Sequence, residues 1–203
     1  MKLHYRVIQI SFLSLVFLFL SSSVWSQADP EWLKSWEEAY EMKPAVLISS
    51  NRIAPKEEPG IPMLIKISIV NPDLSPANDV WIHAYHRDSM GFDFGPGDNA
   101  TSTWRLQGWA ITDKEGQAEF QTIRPAADHL GREGAHIHIT SISDKFGRQW
   151  APTVYLADDP ALKESQRLRS QKAGKYGWVV TVEQIEGIQY IEVNIKLKEE
   201  ADF

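Results

Sequence analysis

Apolar and polar residues alternate from Met63 to Val70, with Met63, Ile65, Ile67 and Ile69 on one side and Lys66 and Ser68 on the other. That two-residue period, in a stretch rich in β-branched side chains, predicts a half-buried strand. Similar runs follow at Val80–His86, Leu106–Thr112, Gly116–Ile123, Thr153–Leu156, Trp178–Val182 and Tyr190–Leu197. Turn clusters separate them, at Asn71-Pro72-Asp73, Ser75-Pro76-Ala77-Asn78-Asp79 and Asp113-Lys114-Glu115-Gly116. The exception comes first: between Glu31 and Met42, Trp32, Leu33, Trp36 and Tyr40 recur at helical spacing. Asp29-Pro30 ahead of them supplies an N-cap and a first-turn proline. Ala161–Lys175 reads as helix or loop. The pattern predicts an all-β, antiparallel β-sandwich with a short N-terminal helix.

The first residues belong to a different pattern. Lys2 and Arg6 precede an apolar run from Val7 to Leu20, and the small residues of Ser21–Ser26 follow. This is the order of a secretory signal, and the run is short for a membrane span. The expected division is a signal over 1–26, the helix and a linker over 27–59, and the sandwich over 60–203, in a periplasmic or secreted protein with no membrane contact after cleavage. Asn99-Ala100-Thr101 fits a glycosylation sequon.

Composition narrows the partners. The chain has no cysteine, so an exported fold must rely on its core, and eight Trp with eight Phe can supply one. Removing residues 1–26 takes away two cations and no acid, moving the net charge from −6 to near −8. That argues against nucleic acid as a partner. Association into a homo-oligomer is left open.

The chemistry concentrates in Gly131-Arg132-Glu133-Gly134-Ala135-His136-Ile137-His138-Ile139-Thr140. On a strand His136 and His138 share one face and Ile137 and Ile139 the other. Two imidazoles so placed can bind one ion; Zn, Cu, Fe and Ni all accept them. A polar strand face is the plain alternative. His83 lies on the face of Tyr85, His86 on the opposite one, and both suit packing. Trp104, Trp109 and Trp150 read as core or pocket wall, and Phe92 and Phe94 as pocket lining or loop anchors.

Four segments in order carry a resemblance. Tyr85-His86-Arg87-Asp88-Ser89-Met90-Gly91-Phe92-Asp93 resembles the Tyr-His-Thr-Asp-Ala-x-Gly-x-Tyr segment of intradiol ring-cleavage dioxygenases. Leu106-Gln107-Gly108-Trp109 with Thr112–Pro125 resembles their hairpin and Thr-Ile-x-Pro-Gly loop. Ala135-His136-Ile137-His138 resembles their iron-binding strand, and Val154–Pro160 the end of the same core. The resemblance implies a β-sandwich holding one non-haem ferric iron on two tyrosinates and two histidines. It implies a small aromatic diol and O2 as substrates, with an arginine near the first histidine stabilising charge.

Carried over by position, the histidines are His136 and His138, and Asp93 and Asp128 stand where the two tyrosines belong. Gly131-Arg132 retains a Gly-Arg step one place out of register, and Arg132 is assigned the arginine's role. The expected metal set is therefore His136, His138, Asp93 and Asp128, with His129 as a further candidate. The expected cofactor is non-haem iron, with Zn, Mn or Cu open because the phenolates are gone. Three functions follow: an altered oxidative ring-cleaving enzyme, a non-catalytic binding module on the same sandwich, or a zinc-type hydrolase.

Overall fold

The computed structural model describes residues 28–95 and 101–203. The signal segment and Asn99 of the sequon lie outside the described residues. Two sheets face each other. The first has the order β1 (Ser50–Arg52), β5 (Gln117–Ile123), β2 (Pro62–Val70), β11 (Ile188–Lys196), β10 (Glu183–Ile185). The second has the order β4 (Leu106–Ile111), β3 (Trp81–His86), β6 (His136–Ser143), β8 (Val154–Leu156), β9 (Val179–Val180), with β7 (Gly147–Trp150) also paired to β6. Helix α1 covers Pro30–Glu41, and the segment left open between helix and loop forms α2 over Glu164–Lys172.

The sandwich expectation holds, and its antiparallel character needs one correction. β1 with β5, β2 with β11, and β8 with β9 run parallel. Strand periodicity fixes which residues share a face but not which neighbour a strand takes, and long connections such as the one carrying α2 allow parallel pairs.

The main core lies between the sheets. Met63, Ile65, Ile67 and Ile69 of β2 meet Ile82, Ala84, Ile137, Ile139, Val154 and Leu156 of the second sheet, with Phe120 of β5 fully enclosed. The outer face of the first sheet is wet, as Lys66, Gln121 and Glu192 show.

The outer face of the second sheet carries a second, aromatic core. Asp29 caps α1 by accepting from the Glu31 and Trp32 N–H groups. The helix then lays Trp36 and Ala39 against Tyr85, Trp104 and Trp109, with Phe203 packed beside them. Trp36 Nε1–H donates to Thr140 Oγ at 3.0 Å and Trp109 Nε1–H to the Ala39 carbonyl at 3.1 Å, which fixes the helix on the sheet. Among the described residues no helix is long and apolar enough to cross a membrane.

Candidate functional site

The same outer face holds the imidazole pair, at the start of β6. Asp159 sets the start of β6: its carboxylate accepts from Ala135 N–H at 3.1 Å and Ala161 N–H at 2.8 Å. Strand alternation then turns His136 and His138 outward and Ile137 inward. His136 Nδ1 lies 2.7 Å from the Gly134 carbonyl oxygen. A carbonyl only accepts, so Nδ1 carries the hydrogen and Nε2 presents a lone pair. His138 Nε2 stands 3.0 Å from that Nε2. Burial, then His136, then the Arg87 charge push the His138 pKa down to about 3, so this imidazole is neutral at ordinary pH.

Two tyrosines flank the pair as rings. Tyr85 stacks on His138 with centroids 4.8 Å apart, and Tyr155 lies 5.4 Å from His136. Tyr85 Oη accepts from Trp32 Nε1–H at 2.8 Å, and Tyr155 O–H donates to Glu133 Oε1 at 3.2 Å. Burial raises both phenol pKa values, and the Glu133 charge adds to the rise at Tyr155. Both phenols are held protonated.

The charged groups are arranged differently from the expectation. Asp128 turns into its own loop, accepting from Arg132 N–H at 2.5 Å and Arg132 Nε–H at 3.1 Å. Burial works against its ionisation, but these hydrogen bonds outweigh it and hold the carboxyl below the usual carboxylate range. Asp93 pairs with Arg87, Oδ2 to Nε, at 3.0 Å. Among the described residues no three His, Cys, Asp or Glu side chains converge as a ready metal site. Asp93 and Asp128 thus do not meet the histidines here, because each is held by a nearer cation. His129 stacks on Phe92 at 4.7 Å rather than joining the pair. Gly91 allows that contact: it has φ +86°, and a Cβ there would collide with the Ala127 carbonyl.

Arg132 is also displaced from its assigned role. Its side chain is 73% exposed, whereas that of Arg87 is 14% exposed and lies beside the site. Arg87 Nη2 sits 3.4 Å from Glu133 Oε2, and Glu133 Oε2 is 3.8 Å from His136 Nε2. Arg87 Nη1 is buried with no partner. Strand pairing, which the sequence period does not give, brings these residues together. Tyr85 pairs in register with His138, so the residues ending β3 must emerge beside the start of β6. Glu133 precedes His136 by three residues.

The remaining histidines among the described residues pack. His83 stacks on Trp109 at 4.5 Å and is 2.8 Å from Gln107 Oε1. His86 lies between the Arg87 carbonyl and Thr122 Oγ, each at 2.7 Å. Trp104 stacks on Tyr85 at 3.8 Å, so it walls the site.

Comparison with known proteins follows the same lines. A family model described as Dioxygenase matches residues 40–179. Catechol 1,2-dioxygenase 1 of Acinetobacter lwoffii is 28% identical over 119 residues, which cover 57% of this chain and 38% of that protein's length. The mercury-inhibited catechol 1,2-dioxygenase of Acinetobacter sp. ADP1 superposes with a TM-score of 0.59 at 18% identity, over 84% of this chain and 69% of that one. The intradiol ring-cleavage dioxygenase of Tetranychus urticae gives 0.53 at 14% identity, over 77% of this chain and 89% of that one. The two structural matches speak for the fold. With the family model spanning most of the sandwich, the chain belongs to the intradiol ring-cleavage dioxygenase family.

Proposed function

We propose that this chain is an exported, metal-dependent oxidoreductase that opens the ring of a catechol-type diol with an exchanged ligand set. One observation carries the reading: two Nε2 atoms from one strand face converge at 3.0 Å, and the Gly134 carbonyl fixes the tautomer of the first. Metal-bound histidines characteristically have the other ring nitrogen held in this way. The family's cofactor is a non-haem iron, and the residues present fit it only in part. Both imidazoles suit it. The tyrosinate half does not, since Asp93 and Asp128 occupy the expected positions and Tyr85 and Tyr155 are held as neutral phenols. The donor set therefore suits a divalent ion better than a ferric one. Such an ion, when bound, would chelate the two hydroxyls of a diol and bring it together with O2.

The chain's own residues supply the rest. Tyr155 is the half-buried aromatic ring beside His136 against which a flat ring would lie, while Tyr85, stacked between His138 and Trp104, closes the wall behind it. Arg87 brings a fixed positive charge to the edge of the site, where it offsets the charge of an ionised diol. Oxygen uptake with a panel of catechols after loading with Fe(II) or Mn(II) tests the reading. Uptake that disappears in His138→Ala is expected, from a protein lacking the red-brown colour of ferric tyrosinate. Absence of uptake with every diol and both metals would overturn it. The engagement of both aspartates by arginines favours a second reading, a binding module, which calorimetric binding of a catechol without turnover would establish.

A further inference from the structure

We propose that Glu133 is the third ligand of this site, completing a two-histidine, one-carboxylate set with His136 and His138 for a divalent first-row cation. The inference deepens the reading above in that it rests on the same imidazole pair. Among the described residues Glu133 is the carboxylate in closest contact with the pair, its Oε2 lying 3.8 Å from His136 Nε2. It leaves the loop three residues before His136, between Gly131 and Gly134. Its side chain is 42% exposed, so it has room to turn, while β6 holds the imidazoles still. A modest turn about its own torsions brings the carboxylate to the imidazole nitrogens at the cost of a 3.4 Å contact with Arg87, whereas Asp93 and Asp128 would each have to leave a closer arginine, at 3.0 and 3.1 Å.

The surroundings suit a carboxylate that changes partner. Tyr155 O–H holds Oε1 and Arg87 holds Oε2, so the charge is compensated before any cation arrives. When Glu133 turns to a cation, Arg87 keeps Asp93 at 3.0 Å and is not stranded. The set leaves further positions of the ion open for substrate, as in non-haem Fe(II) oxygenases.

Titration with Co(II) alone, followed by its visible absorption and by calorimetry, tests this without any turnover. The wild-type chain should bind one Co(II). Glu133→Gln should bind it at least about tenfold more weakly, while Asp93→Asn and Asp128→Asn stay within about twofold. Arg87→Met should bind it more tightly, because Glu133 is released. Thermal unfolding of each variant without metal checks that the fold is intact. Wild-type-like affinity in Glu133→Gln, a larger loss in Asp93→Asn or Asp128→Asn, or no binding by the wild type would each overturn the proposal. Weakened Co(II) binding in Glu133→Gln alongside inactivity toward all diols would leave Glu133 in place and remove the ring-cleavage reading alone.

Discussion

The two sheets treat their outer faces in opposite ways. On the first, every second residue of β2, β5 and β11 faces water, and the single buried side is the one facing the other sheet. On the second, both sides are covered: β3 is buried at Ile82, Ala84 and His86 inward and at His83 and Tyr85 outward. An outer face that helix α1 and Phe203 roof over can hold imidazoles and phenols away from bulk water. That difference separates a sheet that supports from the sheet that holds the imidazole pair.

The sharpest break of the comparison is a pair of truncations. Phe120→Ala, between the sheets, should cost about 3–5 kcal/mol of unfolding free energy, as large-to-small core changes do. Trp36→Ala should cost as much if the helix-covered face is a true second core. A loss below about 1 kcal/mol in urea titrations would show α1 to be a loosely held arm.

Next comes pH. Burial pushes His83 and His86 down to about 4, with the Gln107 contact and the Arg87 carbonyl only partly opposing it. The unfolded chain, near 6.5, then binds protons that the folded chain refuses. Stability is complete above pH 6.5 and falls, by a few kcal/mol at most per imidazole, as pH drops from 6.5 to 4. His86→Gln should flatten that slope, since the first sheet contributes no histidine to it. Smaller again is Trp32→Phe, which removes the hydrogen bond to Tyr85 Oη and should cost about 1 kcal/mol. At the bottom is Arg132→Ala, which should leave Co(II) affinity unchanged, because its guanidinium faces water and Asp128.

Sequence pattern reached β2, β5 and β11 most plainly, because one wet and one dry face produce alternation, but it missed β1, β7 and β10, which are too short to show a period. It also placed His136 and His138 together, since a period of two is enough to put them on one face. It did not reach Arg87 or Glu133. Their meeting depends on β3 and β6 being neighbours, a fact of pairing rather than of period. It misplaced Asp128 for a local reason: the carboxylate serves its own turn, capturing the N–H groups of Arg132 and Glu133. Short polar side chains in loops often find such partners before distant ones.

The place of β11 has a consequence for how the molecule assembles. It lies in the first sheet between β2 and β10, with Gln189–Lys196 running parallel to Met63–Val70. Because this interior stave pairs Gln189 with Met63, the sheet closes only after everything from β3 to β10 has been made. High contact order of this kind slows folding, so the sandwich should form late and all at once. A chain cut before Ile188 would leave one edge of β2 open and its half of the core without a neighbour.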